Sequence, residues 1–275
     1  MLSAFVIVLR EVIEAGLIVG IVLAATRGVH GRGLWVGLGV LGGLVGAGLV
    51  AIFAGEISNL FQGYGQEIFN AAILILAVGM LAWHNAWMAS HGRQMAAEVR
   101  KVGQDVAHGD RPLAALAIVC GVAVLREGSE VVLFLYGIAA AGSSGVAMLE
   151  GGLLGVLGGV AVTGLSYLGL LAIPQRYIFT VTGWLITLLA AGLATQAVFF
   201  LNAANVLTAL NTQIWDTSAI LPQDGAIGLV LHTLIGYSDR PTGMQLVVYL
   251  GVIAAMIGLT RYARAPQKTG KPATA

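Results

Sequence analysis

The chain has 275 residues, 58% of them hydrophobic and only 10% charged, with a formal net charge of +1 and a mean hydropathy of +0.89. Soluble domains carry roughly 25% charge, so a water-soluble enzyme or binding module is excluded, and nothing points to nucleic acid. The one cysteine, Cys120, excludes an internal disulfide and a cysteine-rich metal site.

A hydrocarbon core of about 30 Å needs about 20 helical residues. Seven segments qualify, at 2–26, 34–54, 68–90, 113–141, 147–172, 178–202 and 244–263. The first has no basic leader, and Arg10, Glu11 and Glu14 interrupt it, so it reads as a retained helix rather than a cleaved signal peptide. The second and fifth carry glycines at four-residue spacing, Gly39 with Gly43 and Gly151 with Gly155 and Gly159, which lets helix backbones approach closely. The run Ala226 to Ile235 is too short to span and predicts a re-entrant or interfacial helix. The predicted fold is thus an all-α polytopic membrane protein in one domain, 1–263. A basic, disordered tail follows over 264–275.

Basic residues set the orientation. Eleven of the fourteen Lys and Arg follow spans one, three, five and seven, among them Arg27, Arg93, Arg100, Lys101, Arg111, Arg261 and Arg264. The positive-inside rule places those segments in the cytoplasm, with the N-terminus outside and the C-terminus inside. The opposite loops hold Glu56, Glu67, Glu150, Asp216, Asp224 and Asp239, an acidic face that concentrates cations.

Two halves of the chain resemble each other. Arg10 and Arg126 lie 116 positions apart, and the same offset relates Gly39–Gly43 to Gly155–Gly159. Repeat one covers 1–90 and repeat two 113–202, followed by an outer loop over 203–243 and the last helix over 244–263. Three spans per repeat is an odd number, so the copies enter from opposite sides. The expected architecture is two inverted three-helix repeats plus a seventh helix, a plan common in secondary transporters.

The chemistry sits in two strings of the form R-E-x-x-E, Arg10–Glu14 and Arg126–Glu130. A charge at membrane depth costs at least ~2.5–3.5 kcal/mol, so such residues mark function. Glu at i and i+3 share a helix face, and Arg at i−1 reaches the second Glu at i+4. Four carboxylates, Glu11, Glu14, Glu127 and Glu130, with Arg10 and Arg126 as supporting ion pairs, sum to −2. That suits a hard multivalent cation bound through oxygen. Ion pairing for packing alone would leave Glu11 and Glu127 unused. An intramembrane di-iron oxidase would use Glu-x-x-His pairs, and no Glu has His at that spacing. No phosphate-binding glycine loop is present. His84 in span three could relay protons or bind metal, although a satisfied core histidine is the commoner case. His232 in the short run reads the same way. Glu67, opening span three, and Asp216 with Ser218 in the outer loop are candidates for ion entry. His30, His91 and His108 read as solvated on the cytoplasmic side.

With these motifs the chain resembles the oxidase-dependent iron permeases, the fungal high-affinity iron transporter and its bacterial EfeU-type relatives. The family carries R-E-G-L-E in helices one and four. Here Val12 and Ile13 replace Gly and Leu in the first motif, and Ser129 replaces Leu in the second, while every Arg and Glu matches. Gln66-Glu67, Asp216-Thr217-Ser218-Ala219 and Gly236-Tyr237 followed by Pro241 extend the resemblance, and Asn70 departs from an acidic position of bacterial relatives. The resemblance implies an inner-membrane permease importing iron, commonly ferric, delivered by a separate extracytoplasmic oxidising or delivering partner. It implies no permanently bound cofactor, the iron ion being cargo. Members associated with other metals, lead among them, keep metal choice open, with manganese a further alternative.

Overall fold

The computed structural model describes residues 1–60, 66–169, 175–223 and 225–264. Their regular structure is helical: α1 Leu2–Ala25, α2 Arg32–Leu60, α3 Gln66–His108, α4 Ala114–Ala140, α5 Gly145–Tyr167, α6 Gln175–Ala203, α7 Ala226–Ile235 and α8 Gly243–Arg264. One isolated antiparallel bridge joins Gln213 to Thr242. Asp224 and the tail beyond Arg264 lie outside the described residues.

α3 departs most from the sequence expectation. It runs 43 residues, about 18 beyond the span predicted over 68–90. The extension is amphipathic, with Met95, Val99 and Val106 turned onto Ile18, Val22, Leu116 and Cys120. Apolar residues at i, i+4 and i+11 form one helical stripe, so this segment is helix rather than loop despite its charges. His91 and His108, read as solvated, are exposed on that helix. α5 ends at Tyr167, five residues before the predicted limit, where Gly169 turns into the left-handed region at φ +73°.

Among the described residues, five helices, α2, α3, α5, α6 and α8, are long and apolar enough to cross a membrane. α1 and α4, 24 and 27 residues long, each contain the three charges of one R-E-x-x-E motif. On α2, Leu41, Val45, Leu49 and Ile52 are each more than 60% exposed, an apolar face suited to lipid and a liability in water. A core of Ile7, Leu74, Leu81, Phe134, Ile186 and Leu189 joins α1, α3, α4 and α6.

Helix partners cross between the two halves. α1 packs on α5, α2 on α4, and α3 on α6. Glycine makes the first two pairs possible. A Cβ at Gly43 would lie 2.7–2.9 Å from Gly121 O, Val124 Cβ and Leu125 N. At Gly155 the equivalents are Phe5 O, Val8 Cβ and Leu9 N, at 2.8–2.9 Å. The α4 contacts lie 116 residues beyond the α1 contacts, whereas Gly155 lies 112 beyond Gly43. Gly39 against Ala117 O, and Gly151 against Met1 O, repeat this register. So the glycine helices correspond one turn away from the 116 offset that their sequence similarity suggests.

Candidate metal centre

α1 and α4 each present an R-E-x-x-E face, and α3 supplies the group between them. Glu11 and Glu14 are 1% and 3% exposed, Glu127 2%, Arg10 and His84 3%. Arg10 closes its own motif: Nη1 lies 3.0 Å from Glu11 Oε1 and Nη2 2.8 Å from Glu14 Oε1. Arg126 Nε lies 3.3 Å from Glu130 Oε1 and 3.8 Å from Glu127 Oε1. The one-turn reach of each arginine follows from helical spacing.

The two motifs differ in how firmly the arginine is held. Arg10's side chain is 4% exposed and Arg126's 33%. Arg126 stacks on Trp87, its Cζ 4.0 Å from the ring centroid. A guanidinium within about 6 Å of an indole centroid gains a cation–π attraction. Trp87 is one turn beyond His84 on α3, so one helix face contributes to both.

His84 lies at the centre. Its Nδ1 meets Glu130 Oε2 on α4. Its Nε2 lies 3.4 Å from Glu14 Oε2 and 3.9 Å from Glu11 Oε2 on α1. One ligand atom from each of Glu11, His84, Glu127 and Glu130 falls within 4.8 Å of the others. Both oxygens of Glu127 and Oε2 of Glu11 are buried without a hydrogen-bond partner. Buried carboxylate oxygens are costly unless paired or coordinating a cation.

Sequence reading placed the four glutamates and two arginines together but left His84 as a relay or a core histidine. The structure brings His84 into the cluster. A lone histidine in an apolar run has no spacing partner, and only the third helix's packing reveals its neighbours. Within the motif, Gly128 and Val12 occupy equivalent places with opposite sizes. A Cβ at Gly128 would lie 2.7 Å from Ala47 Cβ on α2, and Val12 Cγ1 and Cβ face Gly159 on α5. The loss of glycine from the first motif is thus matched by glycine on its neighbour.

The other candidates lie apart. Glu67 is exposed in the first turn of α3, 17 residues before His84. Asp216 is used within its own loop. It accepts from Ser218 Oγ at 2.5 Å and Ser218 N at 3.0 Å, and pairs with Arg240 Nε at 3.1 Å. Those Ser218 donors first, and Arg240 second, hold its carboxyl down at about 2. His232 Nδ1 lies 2.7 Å from Tyr237 O at the C-terminus of α7, where Gly236 turns left-handed at φ +70°.

Known proteins resemble the chain over nearly its whole length. The iron permease FTR1 family matches residues 1–262. The chain is similar to a ferrous iron permease, EfeU, of Escherichia coli O6:H1 (strain CFT073), 30% identical over 271 residues, 96% of this chain and 97% of that protein. EfeU of Escherichia coli O157:H7 is 29% identical over 270 residues, with 96% and 97% covered. The protein of that name from Yersinia pestis is 28% identical over 262 residues, 94% and 92%. No solved structure matches the chain.

Proposed function

The chain belongs to the iron permease FTR1 family, and we propose that iron crosses the bilayer at the cluster of Glu11, Glu14, His84, Glu127 and Glu130, moving inward across the cell's inner membrane. It is a multi-pass membrane protein of iron transport. The observation that carries the proposal is the convergence on one point between two helices of buried carboxylate oxygens that have no hydrogen-bond partner. Without a cation, desolvated carboxylates at that point repel one another. With a divalent ion, the formal −2 of four carboxylates and two arginines is neutralised.

His84 alters the expectation for oxidation state. Oxygen donors alone suit ferric iron, calcium or magnesium, whereas an imidazole nitrogen suits first-row divalent ions. The relatives above are named ferrous iron permeases. Ferrous iron is therefore the substrate we assign. The ion pairs of Arg10 and Arg126 trim the site's negative charge, which keeps it from holding the ion too tightly for release.

In this reading α1 and α4 also span the bilayer, giving seven spans with α7 as a short helix outside the count. The crossed pairing of α1 with α5 and α2 with α4, and the matching atoms around Gly43 and Gly155, support an inverted repeat. The clustered Lys and Arg support a cytoplasmic position for the C-terminal end of α8. Inverted repeats commonly bind cargo near the midplane where the copies meet, and the meeting of the α1 and α4 motifs around His84 supports a site of that kind.

Purified protein in liposomes, offered radiolabelled ferrous and ferric iron in parallel, tests the proposal. Saturable uptake, faster for ferrous iron and abolished by E14Q/E130Q in folded protein, is the expected result. Undiminished uptake by that double variant would remove the cluster from the path.

A further inference from the structure

A cavity of about 530 Å³ opens between α1, the extension of α3 and the end of α5. On α1 it is lined by Leu17 and Ile21, three and seven residues beyond Glu14 and so on the same helix face. Polar residues also line it, Arg100 and Gln104 from α3 and Thr163 and Ser166 from α5. It therefore begins one turn from the carboxylate cluster and ends among the basic residues. A hydrated divalent cation fits that volume many times over.

The other half of the molecule is different at the equivalent place. By the 116 offset of α1 and α4, Gly20 corresponds to Tyr136. By the 112 offset of α2 and α5, Gly55 corresponds to Tyr167. Gly20 lines the cavity, and a Cβ there would meet nothing within 4 Å. Tyr136 instead lies across α2. Its hydroxyl donates to Ala51 O at 3.4 Å and would sit 2.9 Å from a Cβ at Gly55. Tyr167 could cover Gly20 as Tyr136 covers Gly55, yet its ring lies beneath Arg27, whose Cζ is 5.8 Å from the centroid. Each crossed helix pair, α4 on α2 and α5 on α1, thus carries one tyrosine and one glycine, engaged in the first pair and parted in the second.

We infer that the cavity is the cytoplasmic vestibule of the cation path, that Tyr136 closes the matching outer vestibule, and that Tyr167 closes the inner one when Tyr136 withdraws. This deepens the iron-permease reading and rests on it for the identity of the cargo. The route itself is a matter of access and can be measured without iron. Exchange of the two tyrosines would let the ion reach the cluster from one side at a time.

The test is thiol accessibility in a C120A background, with single cysteines at G20C and at A54C, the α2 counterpart of Ser166. Sealed vesicles of both orientations are treated with a charged, membrane-impermeant thiol reagent. G20C should react only from the face bearing the basic loops, and A54C should be protected from the opposite face. Adding Y136A should speed A54C labelling from that opposite face at least tenfold, while Y136F, which keeps the ring, should give a smaller gain. An inert G20C in folded protein, or an A54C rate unchanged by Y136A, would overturn the inference. Iron uptake by the same vesicles is scored separately. Labelling as described with no uptake would count against the cargo and leave the route standing.

Discussion

His84 Nδ1 meets Glu130 Oε2 on α4 while its Nε2 faces Glu14 Oε2 on α1 at 3.4 Å. One residue of α3 therefore ties the two motifs together, and its loss should be felt by both. Removing outer-shell partners of metal ligands costs about 10–100-fold in affinity, so losing a ligand should cost at least that. H84Q should reduce ferrous uptake by about tenfold or more, with ferric uptake falling less. Equal losses for both ions would mean that His84 does not choose the oxidation state.

Gly128 and Ala47 offer a test of packing around the motif. G128V places a branched side chain where a Cβ alone would already lie 2.7 Å from Ala47. Overpacking of this kind costs about 1–3 kcal/mol. Thermal unfolding in detergent should show that loss, and A47G should restore most of it by recreating the Val12–Gly159 arrangement. A stable G128V single variant would show that α2 and α4 separate more easily than this fit implies.

Trp87 holds Arg126 by its ring face. A cation–π contact contributes ~0.5–2 kcal/mol. W87L, which keeps the apolar bulk, should weaken iron binding while sparing expression, because Arg126 then moves more freely against Glu127 and Glu130. W87F, retaining a ring, should recover part of the affinity in a titration. Identical titrations for both variants would assign Trp87 to packing alone.

Asp216 should be silent in transport. Its oxygens are taken by Ser218 and Arg240, so D216N should leave uptake within about twofold. Its carboxyl is held at about 2, below the usual value for Asp. The stabilisation this gives the loop is fully present above the ordinary Asp range and is lost as pH falls through about 2. A carbon-13 titration of that carboxyl should show it ionised throughout pH 4–7.

Much of the candidate site was legible in the sequence because charge in an apolar run is rare and helical spacing is rigid. Arg10 with Glu14 and Arg126 with Glu130 needed only the i,i+4 rule. His84 was not legible as a partner, since its neighbours come from two other helices. The length of α3 was hidden for a different reason. Glu98, Arg100, Lys101 and Asp105 give a polar composition, and the buried stripe of Val99 and Val106 is sparse. The register of α2 on α4 was misleading, because Gly-rich runs align equally well one turn apart. Which glycine meets which backbone was fixed only by the paired contacts of Gly43 and Gly155.

The continuity of α3 gives the molecule a lever. His84 and Arg100 sit 16 residues apart on one unbroken helix, about 24 Å at 1.5 Å per residue. A tilt of about 5° around His84 would carry the Arg100 end some 2 Å sideways by that length, enough to widen or narrow the cavity wall, while barely displacing the imidazole. His84 and the cavity wall at Arg100 are thus parts of one continuous helix, and on the proposed route a small reorientation at the carboxylates is magnified at the inner vestibule.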